Sequence, residues 1–560
     1  MNQQFHGRED APARLRGAWV GAVALGLILA IAVFFRLQIT NGWTLLFGDR
    51  TDGSIEVTIL EHWHNVFTGH AKWSMLFYFY PHPYTLGYND GYFLYGLIHT
   101  VFRVLGLNIF LAAEMVNVTV KAMGFIGFYA FMRSALPTPR MLAVLGALLF
   151  SISNNTFSQA HHVQLFSVAF VPVMAVLLFR AWNAGMRDAL RNCAGWCVAA
   201  AVFYAAWVIT AFYTAWFFAL FTCFALLIHA LSGPRSLARA VIAGRRMAGP
   251  AAVGAVVLLA GLVPFALVYL PKAAETGMHS FSQAMTFSPS VLDTFNVGTH
   301  NLLFGRVNEW INAALRPGVP PDGERSSGLP PLLILAFLAA TAWLCFAPAA
   351  RPHRLARTLA LAALATWLLS LHYGGFTPWR WVYTYVPGAA AVRVIARYQI
   401  FLMAPVVVVV VFWMATARLS RPLLACLALG LVAGEINLGH PVGLSPDTEL
   451  ARLAAIPPPP PSCRAFATAG VRPGPLAASP EVDAVYSHNV DAMLIAEYLR
   501  MPTINGMASF VPRDWNFARS SDPDYAARVD AYVKHHRIEG LCVLDLTSLA
   551  WHPPAAGSVP

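Results

Sequence analysis

Charge is what this sequence has least of. Of its 560 residues only 12% are Asp, Glu, Lys or Arg, while 57% are hydrophobic. A soluble domain carries about 25% charged residues, so the composition excludes an ordinary soluble domain and indicates an integral membrane protein. The mean hydropathy of +0.56 agrees. Lysine is scarcer still, with Lys72, Lys121, Lys272 and Lys534 the only four, so the surplus of +11 is carried by arginine. The arginines fall in short clusters between apolar runs. That pattern argues against nucleic acid as a partner and reads as topology signals at anionic lipid surfaces.

Cysteine is also sparse. Cys193, Cys197, Cys223, Cys345 and Cys426 lie in or beside apolar runs, where a thiol behaves as a small hydrophobe. No spacing matches a zinc or iron–sulfur site. Cys463 and Cys542 alone fall in the polar C-terminal part, and their pairing depends on that part being extracytoplasmic. Two further absences matter. No small-residue cleavage site follows the first apolar run before Thr40, so the run reads as an anchor and not a removed leader. No internal repeat is visible, which argues against a transporter built from inverted halves.

What is present is apolar helix. Hydropathy places eleven spans near residues 17–35, 110–132, 141–153, 163–179, 194–209, 212–231, 250–270, 330–347, 359–371, 400–416 and 422–437. The N-terminal tail carries Arg8, Arg14 and Arg16. With this parse Arg133/Arg140, Arg187/Arg191, Arg235/Arg239/Arg245/Arg246, Arg351/Arg354/Arg357 and Arg418/Arg421 all face the cytoplasm, as the positive-inside rule requires. The N-terminus is then inside and the C-terminus outside. Residues 92–107 are apolar but contain His99 and Arg103, and are expected to lie at the outer surface or enter only partway, with the arginine snorkelling. The expected architecture is an α-helical polytopic membrane protein with a small C-terminal α/β domain. Its membrane module covers 1–437, with outer loops at 38–108 and 272–329. An extracytoplasmic domain covers 438–560 and includes a stiff proline run at 457–461. Strand-like pieces such as 541–546 and an amphipathic helix at 525–536 give that domain its mixed character.

Just beyond the first span, Gly48-Asp49-Arg50-Thr51-Asp52-Gly53 sets two carboxylates and an arginine in six residues. The flanking glycines allow a tight turn. An ionised carboxylate in a dry cleft can accept a proton from a hydroxyl, an effect of roughly 10²–10⁴ in rate; the alternative is an interfacial turn in which Arg50 pairs with one carboxylate. Tyr80, His82, Asn89 and Asp90 belong to an aromatic and polar cluster in the same loop, suited to a sugar-binding wall or to an interfacial aromatic belt. Glu114 and Lys121 lie seven residues apart in the second span, as an ion pair or the lining of a polar cavity. His161 and His162 follow the third span; adjacent histidines lack the i, i+4 spacing of a helical metal pair. Arg393 and Arg397, four apart, are expected to share one face of a helix that starts just after Pro387-Gly388. A helix N-terminus with two guanidiniums makes an anion site at headgroup depth. Glu435 ends the last span and closes the same cavity or is simply exposed at the interface.

Several of these stretches resemble the GT-C superfamily of membrane glycosyltransferases, and within it a YfhO-like bacterial branch. They are Phe47-Gly48-Asp49 with Asp52, Tyr80-Pro81, His161/His162, Tyr385-Val386-Pro387-Gly388, Val392-Arg393-Val394-Ile395-Ala396-Arg397-Tyr398, and Ile504-Asn505-Gly506-Met507-Ala508-Ser509-Phe510-Val511-Pro512. The resemblance implies a polyprenyl-phosphate sugar donor and transfer to a cell-envelope glycan, lipid or protein at the outer face of the bacterial cytoplasmic membrane. It implies an inverting displacement with Asp49 as base and Asp52 in reserve, and with Arg393 and Arg397 on the donor phosphate. Tyr80, His82, Asn89, Asp90, His161, His162 and Glu435 are then expected to line the substrate. The resemblance fixes no cofactor, and a divalent metal ion is left open because the two aspartates stand three apart. The rival readings are a transporter or flippase of a lipid-linked sugar, and a non-catalytic envelope-assembly subunit.

Overall fold

A helix that is apolar on every side has to be surrounded by protein or lipid, and the Val406–Val411 run illustrates the first case. These six valines lie in the Tyr398–Thr416 helix and are all buried. In the computed structural model this helix is the hub of the bundle, packed by Pro331–Phe346, Arg354–Ser370 and Arg140–Ser151. The Pro234–Thr276 helix illustrates the second case, since Val256, Leu259, Leu267 and Leu270 stay exposed along it. The structure describes residues 13–316, 318, 322–346, 354–474 and 479–553, with backbone alone for 13–18, 234–236, 239 and 240. Arg8 and Arg351 therefore lie outside the described residues, as do the side chains of Arg14, Arg16, Arg235 and Arg239.

The protein is a mostly helical, multi-pass membrane protein. Helices overlie all eleven expected spans. Seven helices among the described residues are long and apolar enough to cross a membrane, while Trp19–Phe34, Pro331–Phe346 and Arg421–Gly434 are shorter apolar helices. Several boundaries differ from expectation; the helix expected over 250–270, for one, already begins at Pro234. The helix expected to end near residue 270 continues to Thr276, so Lys272 is helical and not part of the loop. An ion pair of 2.8 Å from Lys272 to Glu275, three residues on, and a 2.8 Å hydrogen bond to the Tyr88 hydroxyl support that extra turn. The span beginning at Val163 opens with a 3₁₀ turn, Val163–Ala169, before the α-helix Phe170–Met186.

Residues 92–107 form a helix of twelve residues, Phe93–Val104. At 1.5 Å per residue it is about 18 Å long, well short of the roughly 30 Å hydrocarbon core. It buries Tyr95, Gly96 and His99 and leaves Val101, Val104 and Leu105 exposed. Its Arg103 reaches back to Glu61 at 2.9 Å, and His99 meets the same carboxylate at 3.1 Å. Glu114 and Lys121 do not pair. Glu114 accepts from Gln38 at 2.7 Å and from Asn117 at 3.0 Å, while the Lys121 ammonium lies 3.8 Å over the Phe34 ring.

Two small sheets tie the polar regions together. Strand β1 (Leu46–Phe47) pairs antiparallel with β2 (Val442–Leu444), so the segment entering the Asp49 turn is held by the chain just after the last apolar helix. In the tail, β3 (Ala465–Ala469) runs parallel to β4 (Leu541–Asp545), and β5 (Ala550–His552) returns antiparallel. The helices Pro480–Leu499 and Tyr525–His536 fall between β3 and β4 in the chain. Cys463 and Cys542 form a disulfide beside this sheet. The tail packs directly on the first loop. Glu497 is buried against His62 and Asn65 of the Asp52–Phe67 helix, and Phe79 and Tyr80 donate backbone hydrogen bonds to Asn505 and Thr503.

Candidate functional site

The Asp49 turn closes on itself because glycine stands at both ends. Gly48 has φ +88°, and a Cβ there would lie 2.9 Å from the Cα of Gly53. Between them, Asp49 Oδ1 accepts from the Thr51 amide at 2.8 Å and the Thr51 hydroxyl at 2.6 Å. That oxygen is committed to holding the turn. Asp52 begins the next helix and points elsewhere, with Oδ2 3.4 Å from His162 Nδ1 and 42% of its side chain exposed. Its surroundings are nonetheless crowded. Burial, reinforced by the Asp49 carboxylate and opposed by Arg397, raises the Asp52 carboxyl to about 6.

His162 stands between two carboxylates. Its Nδ1 faces Asp52 and its Nε2 lies 3.5 Å from Glu324, on the opposite edge of the ring. Burial and the nearby Arg397 charge lower it to about 4, so it is neutral at pH 7 and carries a single N–H. The His161 ring lies 4.1 Å from it and is likewise lowered by burial. Beside His161 a cavity of about 310 Å³ opens, walled also by Phe157, His300, Asp322 and His440.

Arg397 is 8% exposed and grips Glu324 through both Nε and an Nη, at 3.2 and 2.9 Å. Burial alone would raise the Glu324 carboxyl; the Arg397 charge overrides it and holds the group well below the usual carboxylate range. Arg393 is exposed, with its amide on the Tyr213 hydroxyl at 2.7 Å and its guanidinium 5.2 Å over the Phe287 ring. The two arginines do not share a helical face. Residues 392–394 are not helical, a 3₁₀ turn follows at Ile395–Arg397, and the α-helix starts only at Tyr398. The cause is local: Val392 and Val394 are buried, and the amides of Arg393 and Ala396 are taken by Tyr213 and by the Phe287 carbonyl. One guanidinium is thus paired with a carboxylate while the other is presented at the surface.

Asp90 borders the same recess. Its carboxylate accepts from the Phe212 amide at 3.1 Å, burial raises it to about 6, and Arg397 opposes that shift. Asn89 lies behind it, donating to the Tyr78 hydroxyl and accepting from Tyr269. Tyr80 and His82 are elsewhere, at the seam between the first loop and the tail, where the Tyr80 carbonyl accepts from Tyr532 and His82 meets Asp514. Glu435 accepts the Asn154 amide at 2.8 Å within a buried network that includes Asn301 and Asn437. Four residues join the site without having been anticipated: Glu324, Tyr213, Phe287 and Tyr486, the last coupled electrostatically to Asp52, Arg393 and Asp49. A usable signal existed for Glu324 alone, in the charged Asp322-Gly323-Glu324-Arg325 run inside a Pro/Gly-rich loop.

Chemically, the recess joins an accessible carboxylate with a raised affinity for protons to an exposed guanidinium that attracts anions. His162 offers opposite ring nitrogens to Asp52 and Glu324, so the three do not converge on one point.

The fold is similar to that of a solved glycosyltransferase. Over 94% of its length the chain is similar to the arabinofuranosyltransferase AftD from mycobacteria, with a TM-score of 0.51 and 11% identity, and it spans 35% of AftD, about a third of that protein. A looser likeness, with TM-score 0.49 and 13% identity, is to the archaeal oligosaccharyltransferase AglB from Archaeoglobus fulgidus, over 94% of this chain and 70% of AglB. At these identities the likeness is one of fold. No protein-family signature and no curated protein matches the sequence.

Proposed function

We propose that this chain transfers a sugar from a polyprenyl-phosphate-linked donor to a cell-envelope acceptor at the outer face of a bacterial cytoplasmic membrane, as a member of the YfhO-like branch. The observation that carries this reading is the approach of Asp52 to His162, at 3.4 Å, with Arg397, Glu324 and Arg393 near enough for their charges to act on the Asp52 carboxyl. The likeness of fold supports glycosyl transfer in general; donor and acceptor are read from the chemistry of the recess and from the sequence resemblance.

The geometry favours Asp52 over Asp49 as the base. Asp49 has one oxygen bound by both the amide and the hydroxyl of Thr51, whereas Asp52 is accessible and burial raises its carboxyl to about 6. In the displacement, Asp52 takes the proton of the acceptor hydroxyl while the hydroxyl oxygen bonds to the anomeric carbon. The bond from that carbon to the phosphate oxygen breaks, and its electron pair leaves with the lipid phosphate, with inversion at carbon. Arg393 meets the growing phosphate charge; Arg397, held by Glu324, positions the His162 side of the recess.

The test is transfer from native polyprenyl-phosphate sugars by membranes containing wild type, Asp52→Asn, Asp49→Asn, Arg393→Ala or Arg397→Ala. Asp52→Asn is expected to lose about 10²–10⁴ in rate, and Arg393→Ala about 10–100-fold through a charge-assisted contact. Undiminished transfer by both aspartate variants would sink the enzymatic reading. Loss of donor translocation with transfer intact would favour the flippase reading instead.

A further inference from the structure

We propose that His82, Asp514 and His536 form a zinc site that fastens the C-terminal domain to the first loop. The proposal is independent of the glycosyltransferase reading. His82 comes from the first loop, Asp514 from the tail segment before the Tyr525–His536 helix, and His536 is the last residue of that helix. Their donor atoms all lie within 4.8 Å of one another, and among the described residues this is the one grouping of three or more His, Cys, Asp and Glu side chains that does so. Asp514 places Oδ1 3.0 Å from His82 Nε2 and Oδ2 2.6 Å from His536 Nε2.

Hydrogen bonding accounts for only half of this arrangement. The His536 contact is a hydrogen bond, but His82 Nε2 is a buried atom that makes none, although Oδ1 is close enough, because the ring is not turned toward that oxygen. Two imidazoles and a carboxylate are a donor set that zinc takes with bonds of about 2.0–2.2 Å, which puts tetrahedral ligand atoms about 3.3 Å apart. The two contacts to Asp514, at 3.0 and 2.6 Å, are shorter than that spacing and the donor atoms all lie within 4.8 Å, so side-chain rotations would bring them to zinc-binding distance. The side chains are 17%, 38% and 18% exposed, so an ion and a completing water have access. On the His82 side lies a cavity of about 380 Å³, walled also by His70, Lys72 and Tyr80. The surroundings are anchored independently. Tyr532 donates to the Tyr80 carbonyl at 3.1 Å and its ring lies 4.3 Å from the His536 ring.

The experiment uses the full-length chain in detergent, purified without a histidine tag after growth in zinc-supplemented medium. Metal analysis is expected to find about one zinc per chain in wild type and background levels in His82→Gln and His536→Gln. Chelation is expected to lower the wild-type melting temperature to that of His82→Gln and to leave the variants unmoved. A wild type that holds no zinc and takes up neither zinc nor cobalt on titration overturns the site; so does full zinc content in the two glutamine variants. Zinc-loaded wild type whose melting ignores chelation overturns the fastening role. If the variants do not fold, X-ray absorption at the zinc edge of wild type decides: a nitrogen and oxygen shell with two imidazoles supports the assignment, and a shell containing sulfur or fewer imidazoles overturns it.

Discussion

Asp52 and Glu324 show how one recess drives two carboxylates apart. Burial raises the first to about 6, while Arg397 pulls the second well below the ordinary range despite burial. The sign of the pH dependence follows. Asp52 keeps its proton until the pH climbs past about 6, and a base must be ionised, so the proposed activity is present above that pH and is lost as the pH falls through it. A pH profile of kcat/KM should show this acid limb in wild type and Asp49→Asn; in the residual activity of Asp52→Asn the limb should vanish, and its persistence at the same midpoint would transfer the role to another group. The Arg397–Glu324 pair makes a separate prediction. Removing one member leaves a largely buried charge uncompensated at a cost of about 3 kcal/mol. In a thermal-stability cycle Glu324→Gln and Arg397→Ala should each destabilise more than half as much as the double variant, with losses that do not add.

At the scale of elements, the Gly48–Gly53 turn is the most demanding piece of backbone. Gly48→Ala meets both a left-handed φ of +88° and a contact at 2.9 Å, whereas Gly42→Ala, at φ +66°, has nothing within 4 Å of its new methyl. Melting should therefore fall further for the first, by about 2–3 kcal/mol against about 1 kcal/mol for the second; equal losses would mean that the opposing glycine yields freely. The apolar helices were legible because period and length speak locally, down to the valine run of the hub helix. The residues around Asp52 were legible only in part. Asp52, His162 and Arg397 carry their chemistry in plain sight, yet the backbone between Pro387 and Tyr398 looked like a helix start and is held open by Tyr213 and Phe287. Tyr486 reaches the site by long-range packing, for which hydropathy and spacing carry no signal; the Asp322–Arg325 run marks Glu324 as a charge in its loop without saying where it packs.

For the whole molecule, the joining of first loop, second loop and tail means that all three lie on one side of the membrane. We propose from the arginine bias that this side is the outer one; reporter fusions at Pro560 and within the Arg187–Arg191 loop should then report opposite compartments. The Cys463–Cys542 bond fits an oxidising compartment. Replacing both cysteines by serine should cost about 2–5 kcal/mol, read as a drop in the melting temperature of the tail. Reduction of wild type should give the same drop; no change in either case would mean that the packing of β3 against β4 suffices.

The pairing of β1 with β2 has a consequence for how the protein is made. The strand leading to Asp49 leaves the ribosome early, while its partner, Val442–Leu444, follows the last apolar helix. Glu324 and Arg397 also arrive late. During synthesis the nascent chain therefore carries Asp49 and Asp52 through the insertion of the intervening helices before the residues that surround them in the fold have been made.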